Sequence, residues 1–180
     1  MTGRQRRLSE RVTHPSYLEG LQEKPTADLR AMREECREAE TEVSFERRLC
    51  QARLDILSAE ITRREGGSTD DLVGRLPEIL GGESRRKGEF PLPSRAPDFS
   101  VPRNADVPRR RVEEVVGEQT LARLSEIDLE ELRGIIDTLA DYERTVSARR
   151  RSIQEAMDKV QSEIVRRYTS GEEDPTAAFS

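Results

Sequence analysis

A copy of residues 28–64 recurs at residues 131–167. Shifting the chain by 103 superimposes the two stretches without a gap, and thirteen of the 37 pairs are identical. Leu18 and Leu21 fall on Leu121 and Leu124 in the same shift. Each copy carries its own apolar period. Leu29, Cys36, Val43, Cys50 and Leu57 recur every seven residues, and Leu132, Leu139, Val146, Ile153 and Val160 stand at the equivalent places. A seven-residue apolar repeat is the signature of a coiled-coil seam. At 1.5 Å per residue each helix spans about 55 Å, and a helix with one narrow seam is marginal until the seam is covered. Two copies in one polypeptide predict an all-α fold in which the two helices pair within the chain. The seam itself leaves their direction open.

Composition fits that reading and excludes others. Hydrophobic residues are 33% and charged residues 37% of the 180, with aromatics at 4% and no Trp. Ordinary soluble domains run at roughly 45–50% apolar and about 25% charged. A compact α/β enzyme core is thereby disfavoured, and long solvated helices are favoured. The net charge of −5 argues against general nucleic-acid binding, which shows a basic excess or stripe. Cys36 and Cys50 stand 14 residues apart, about 21 Å along one helix, too far to bridge. They read as buried reduced thiols of a cytoplasmic protein. No apolar run approaches the roughly 20 residues of a membrane span, and MTGRQRRLSERVTH lacks the apolar stretch of a secretory signal.

Punctuation divides the chain. Residues 1–25 show little period and read as a mostly loose N-terminal arm with one short helical piece. Thr26, with Asp28 in the first turn, reads as the N-cap of a helix over 26–65 that Gly66 and Gly67 end. A short amphipathic helical segment is expected within 66–82, then a Pro- and Arg-rich disordered linker over 83–111. A short helix follows over 112–127. Asp128 and Glu131 form a capping box that opens the second long helix, 128–168, and 169–180 reads as a disordered tail.

One set of duplicated residues is not explained by the seam. Glu40, Ser44, Arg47, Gln51 and Asp55 project at about 0°, 40°, −20°, 20° and 60° around the helix, a stripe about 80° wide beside the apolar one. Glu143, Ser147, Arg150, Gln154 and Asp158 repeat it, while the neighbours drift: Phe45 against Ala148, Glu46 against Arg149, Leu49 against Ser152. Glu–Arg pairs on a solvated flank would explain one such stretch. They do not require a Ser and a Gln held in register. Arg donates in a fork to phosphate or to the O6/N7 edge of guanine, and a carboxylate accepts from guanine N–H groups. Each helix therefore reads as half of a site for a guanine nucleotide, its carboxylates and arginines awaiting a ligand.

The pattern Glu-x3-Ser-x2-Arg-x3-Gln-x3-Asp, complete in both copies, resembles the signature of the RsiG family, cyclic-di-GMP-binding anti-sigma factors of filamentous actinobacteria. The resemblance covers the two long helices. It implies an antiparallel coiled coil, with the ten residues just named as the nucleotide ligands, and two cyclic di-GMP molecules per chain. It also implies a partner: a flagellar-type sigma factor, WhiG, which drives late sporulation genes and is sequestered in a 1:1 complex by the nucleotide-loaded protein.

Other features carry less. His14 is the one histidine and reads as an exposed arm residue, so no histidine-based metal site or triad is expected. Arg109–Arg111 read as a solubilising run, and Arg63–Arg64 with Arg166–Arg167 as helix-end residues or phosphate or partner contacts. No P-loop, nucleophile elbow or zinc spacing is present, so no catalysis and no catalytic cofactor are expected. The competing classes are a ligand-free structural coiled-coil adaptor and a nucleotide-turnover enzyme; nucleotide titration and product analysis separate them.

Overall fold

The computed structural model describes residues 8–66 and 111–172. Among them the order is α1 (Leu8–Val12), a 3-10 turn (Pro15–Leu18), α2 (Thr26–Arg64), α3 (Arg111–Val115), α4 (Glu118–Ala122), a second 3-10 turn (Leu124–Glu126) and α5 (Leu129–Ser170). No strand occurs among the described residues. The fold is all-α, two long helices packed antiparallel. The segment 67–110, with the expected short helix and most of the linker, lies outside the described residues, as does the tail beyond 172.

The seam accounts for the core. All ten heptad residues, Leu29 to Leu57 and Leu132 to Val160, are at most 1% exposed. Burial of a Leu, Ile or Val side chain stabilises by roughly 1.5–3 kcal/mol, so the eight aliphatic positions among the ten commit the helices to each other. Cys36 and Cys50 are both free and buried. Burial pushes the Cys50 thiol up to about 12, with the Glu46 and Glu143 carboxylates adding to the shift.

Two compact units are distinguished. The first comprises residues 1–44 and 147–180. Its core sets Leu29 of α2 against Val160 and Ile164 of α5, with Leu18, Leu21, Met32 and Tyr168 packed around them. The arm carries the expected short helical piece, α1, but residues 8–25 are packed rather than loose. Val12 is buried, and the Tyr17 hydroxyl donates to the Met32 carbonyl and the Glu35 carboxylate, each at 3.0 Å. Helical period could not reveal this segment, because it is held by single tertiary contacts rather than by a face. Thr26 is also not the N-cap. The Pro25 carbonyl accepts from the Asp28 and Leu29 amides, which makes Thr26 the first helical residue and leaves its hydroxyl to accept from Arg167 at 3.0 Å.

The second unit comprises residues 45–146. Cys50 and Leu57 of α2, Leu132 and Leu139 of α5, and Val112 and Val116 at α3 form its core, with Leu121 and Leu124 packed against it. Leu121 and Leu124 thus do here what Leu18 and Leu21 do in the first unit, as the 103-residue shift requires. Asp128 caps α5: its side chain accepts from the Glu131 amide at 2.8 Å. The long helices end on glycines in the left-handed region, Gly66 at φ 91° and Gly171 at φ 76°. Past Gly171 the Glu172 amide donates to the Arg167 carbonyl, the six-to-one bond of a Schellman cap.

Candidate functional site

Nine of the ten motif residues are half-buried and Asp158 is exposed, as expected of a stripe that flanks a seam. Each unit gathers one constellation. In the first, Glu40 and Ser44 come from α2 and Arg150 and Gln154 from α5. One oxygen, Glu40 Oε1, accepts from Arg150 Nε at 2.8 Å, Ser44 Oγ at 2.9 Å and Gln154 Nε2 at 3.3 Å. Arg150 Nε also donates to Ser44 Oγ at 2.9 Å. The Glu40 and Arg150 side chains retain 13% and 32% of their exposure, so the pair is partly shielded yet open to a solute.

In the second unit the roles are exchanged between helices. Glu143 of α5 accepts through Oε1 from Arg47 Nε of α2 at 3.1 Å and from Gln51 Nε2 at 3.4 Å. Asp55 belongs to this unit and Asp158 to the first; Ser44 and Ser147 are both in the first. Shifted by 103, Glu143–Arg47–Gln51 becomes Glu40–Arg150–Gln154 with donors and acceptors unchanged. An antiparallel hairpin places the N-terminal end of one motif against the C-terminal end of the other. The leading Glu of each copy therefore meets the Arg and Gln of its counterpart.

That geometry corrects one expectation. The stripe reads as a set of groups on one helix, waiting for a ligand. In the structure each set is composite, and Glu40 and Glu143 already accept charge-assisted bonds across the helix pair. Among the described residues Arg150 bonds through Nε alone, so both terminal guanidinium nitrogens are left for another acceptor.

Two further groups lay outside the stripe. Tyr142 donates its hydroxyl to Glu46, which is 5% exposed, on the seam of the second unit. Arg64 and Arg167, read as solvated ends or phosphate contacts, are clamps. Arg167 bonds Glu163 and reaches the Leu21, Gln22 and Lys24 carbonyls; Arg64 bonds Glu60 and reaches Leu124 and Ile127. The first hydrogen-bond partners of Glu60 and Glu163, Arg63 and Arg166, join these arginines in lowering both carboxyls to about 2. A sequence signal did exist: the shift that equates Arg64 with Arg167 also equates the leucines of the segments they hold.

Among the described residues no group of three or more His, Cys, Asp or Glu is placed to hold a metal, and no helix is long and apolar enough to cross a membrane. The site offers guanidinium, amide, hydroxyl and carboxylate groups, a set for recognition of an anion with hydrogen-bonding edges. A comparison with curated proteins finds no match. A family model described as RsiG-like matches residues 15–80 and 118–178, which take in both motif copies, both long helices and the segments that Arg64 and Arg167 clamp. With more than half of its length matched in this way, the chain belongs to the RsiG-like family.

Proposed function

We propose that the chain is a cytoplasmic anti-sigma factor. It binds cyclic di-GMP through Glu40, Ser44, Arg47, Gln51 and Asp55 and through Glu143, Ser147, Arg150, Gln154 and Asp158. Loaded with nucleotide, it sequesters a flagellar-type sigma factor of the WhiG kind and silences late sporulation genes. The observation that carries this reading is the twofold recurrence of one Glu–Arg–Gln constellation, once in each unit, in a chain of a regulatory rather than catalytic family. Solvated ion pairs have no reason to keep a Gln in register twice. A ligand made of two like halves does. The RsiG likeness implies two cyclic di-GMP molecules per chain and a sigma factor held in a 1:1 complex, and the two seams in one chain suit a monomer. No substrate is turned over.

The test is calorimetric. Cyclic di-GMP titrated into the whole chain is expected to bind. Arg47→Ala and Arg150→Ala are each expected to weaken binding by about tenfold to a hundredfold, the loss of roughly 1.5–3 kcal/mol that a hydrogen bond to a charged group carries. Arg144→Ala, whose side chain is 73% exposed, is the control and is expected to change little. Sigma factor is then titrated across a nucleotide series. Coupling between two ligands is reciprocal, so sigma is expected to tighten nucleotide binding by the factor that nucleotide tightens sigma binding. Sigma affinity unchanged or lowered by nucleotide would refute the switch even where the nucleotide binds.

A further inference from the structure

The two motif carboxylates that lead each copy do not stand in the same relation to a ligand as the arginines do. Glu40 gathers three donors on one oxygen, two of them from the opposite helix, and Glu143 accepts from the Arg and Gln opposite it. Both carboxylates are the more buried member of their ion pair, 13% against 32% in the first unit and 18% against 22% in the second. The arginine is the outer group in both. In the first unit it is tethered by Nε, the nitrogen nearest the chain, and its two terminal nitrogens make no bond to the described protein.

A guanidinium is planar, and one held at Nε still offers the edge formed by its terminal nitrogens to a phosphate or a base. Arg also has much side-chain entropy to lose when it is ordered by a ligand. A tether present beforehand removes that loss from the binding step. The Gln completes the arrangement, since its amide donates to the same carboxylate and leaves the carbonyl oxygen as an acceptor for a base N–H.

We propose that Glu40 and Glu143 are positioning residues: each holds, across the helix pair, the Arg and Gln of the other motif copy, and these residues touch the nucleotide. This deepens the cyclic di-GMP reading above and rests on it. The pairing is specific. Glu40 acts through Arg150 and Gln154, Glu143 through Arg47 and Gln51, and neither acts through the arginine of its own copy.

Two measurements on the full chain test it. Without nucleotide, the Arg150 Nε–H resonance in a 15N spectrum is expected to exchange slowly with solvent. Glu40→Gln should speed that exchange and Glu143→Gln should not, with the reverse for Arg47. With cyclic di-GMP as the probe, Glu40→Gln is expected to lower affinity about tenfold in the unaltered background and much less in an Arg150→Ala background, where only the Gln154 tether remains to be lost, a coupling of the size that contacting residues show. The same Glu40→Gln loss should persist in an Arg47→Ala background. If Glu40→Gln lowers helicity, the Glu143→Gln and Arg47→Ala cycle reads the same relation in the other unit. Losses from Glu40 and Arg150 that simply add would overturn the proposal and leave the nucleotide reading standing, because the carboxylate would then meet the ligand itself. Arginine exchange that ignores the Glu→Gln changes overturns it as well. No binding of cyclic di-GMP by the unaltered chain would sink the nucleotide reading and this proposal together.

Discussion

Arg167 and Arg64 hold equivalent places 103 residues apart, and each joins a carboxylate one turn back to the segment that leads into the opposite long helix. Their depths differ. The Arg167 side chain is 8% exposed and takes the Leu21, Gln22 and Lys24 carbonyls and the Thr26 hydroxyl, besides Glu163. Arg64 is 19% exposed and takes two carbonyls besides Glu60. The duplicated residues are the same, so the difference comes from what the preceding segment brings. In the first unit that segment ends in Pro25 and Thr26, and Thr26 is 4% exposed. In the second it ends in a capped Asp128 that satisfies its own helix. A guanidinium that must be desolvated needs every donor matched. One that stays wet does not. Identical sequence at a repeated position therefore does not imply equal energetic weight.

The largest effect that sharpens this contrast is expected from Arg167→Ala. Breaking a buried pair leaves a carboxylate and several carbonyls without a partner, which costs roughly 3–5 kcal/mol. Urea unfolding followed by circular dichroism measures the loss, and hydrogen exchange should show faster opening around Leu18–Leu29 and the end of α5. Arg64→Ala is expected to cost less, about 2 kcal/mol, in keeping with charge-assisted bonds at a partly exposed site. Equal losses from the two would break the comparison, because they would show that depth does not matter here.

A smaller effect is expected from acid. Glu60 and Glu163 are held at about 2, well below the usual carboxylate value of about 4.3. The unfolded chain therefore takes up these protons first. The contribution of the Glu60 and Glu163 pairs, with Arg63 and Arg166 first and the clamps Arg64 and Arg167 beside them, is complete above about pH 4.3 and is lost as pH falls through about 2. The urea midpoint should fall over that interval, and Glu163→Gln should make the fall shallower. A midpoint that drops with the same slope in the variant would assign the acid sensitivity elsewhere.

The smallest effect is expected from the outer arginines. Arg63 and Arg166 bond the same carboxylates as the clamps but are 48% and 46% exposed. Arg63→Ala and Arg166→Ala should leave the urea midpoint within error, since exposed pairs are screened and pay for ordering long side chains. A loss comparable with that of Arg64→Ala would mean that the carboxylate, rather than the clamped backbone, is what the inner arginine stabilises.

Much of this molecule was legible in the chain. Periodicity marked all ten seam residues, and every one of them is buried, because a seven-residue repeat on a helix can point in only one direction. The glycines after the first copy marked its end, since few other residues accept a positive φ. The five-residue motif was visible because it was kept twice at the same spacing.

What sequence could not decide was who meets whom. The period of one helix reports which residues share a face and says nothing about the residue opposite, which lies about a hundred positions away. Only the antiparallel register brought Glu40 to Arg150 and Glu143 to Arg47, and so turned two single-helix stripes into two composite sets. The clamps needed tertiary structure for a related reason. Their acceptors are backbone carbonyls at Leu21, Gln22, Lys24, Leu124 and Ile127, and a carbonyl is common to every residue, so no side-chain pattern announces it. Sequence determined the helices, their seam and the residues of the motif. The packing of one helix against the other decided their partners, because hydrogen bonds depend on distances across the hairpin that no spacing along a single helix encodes.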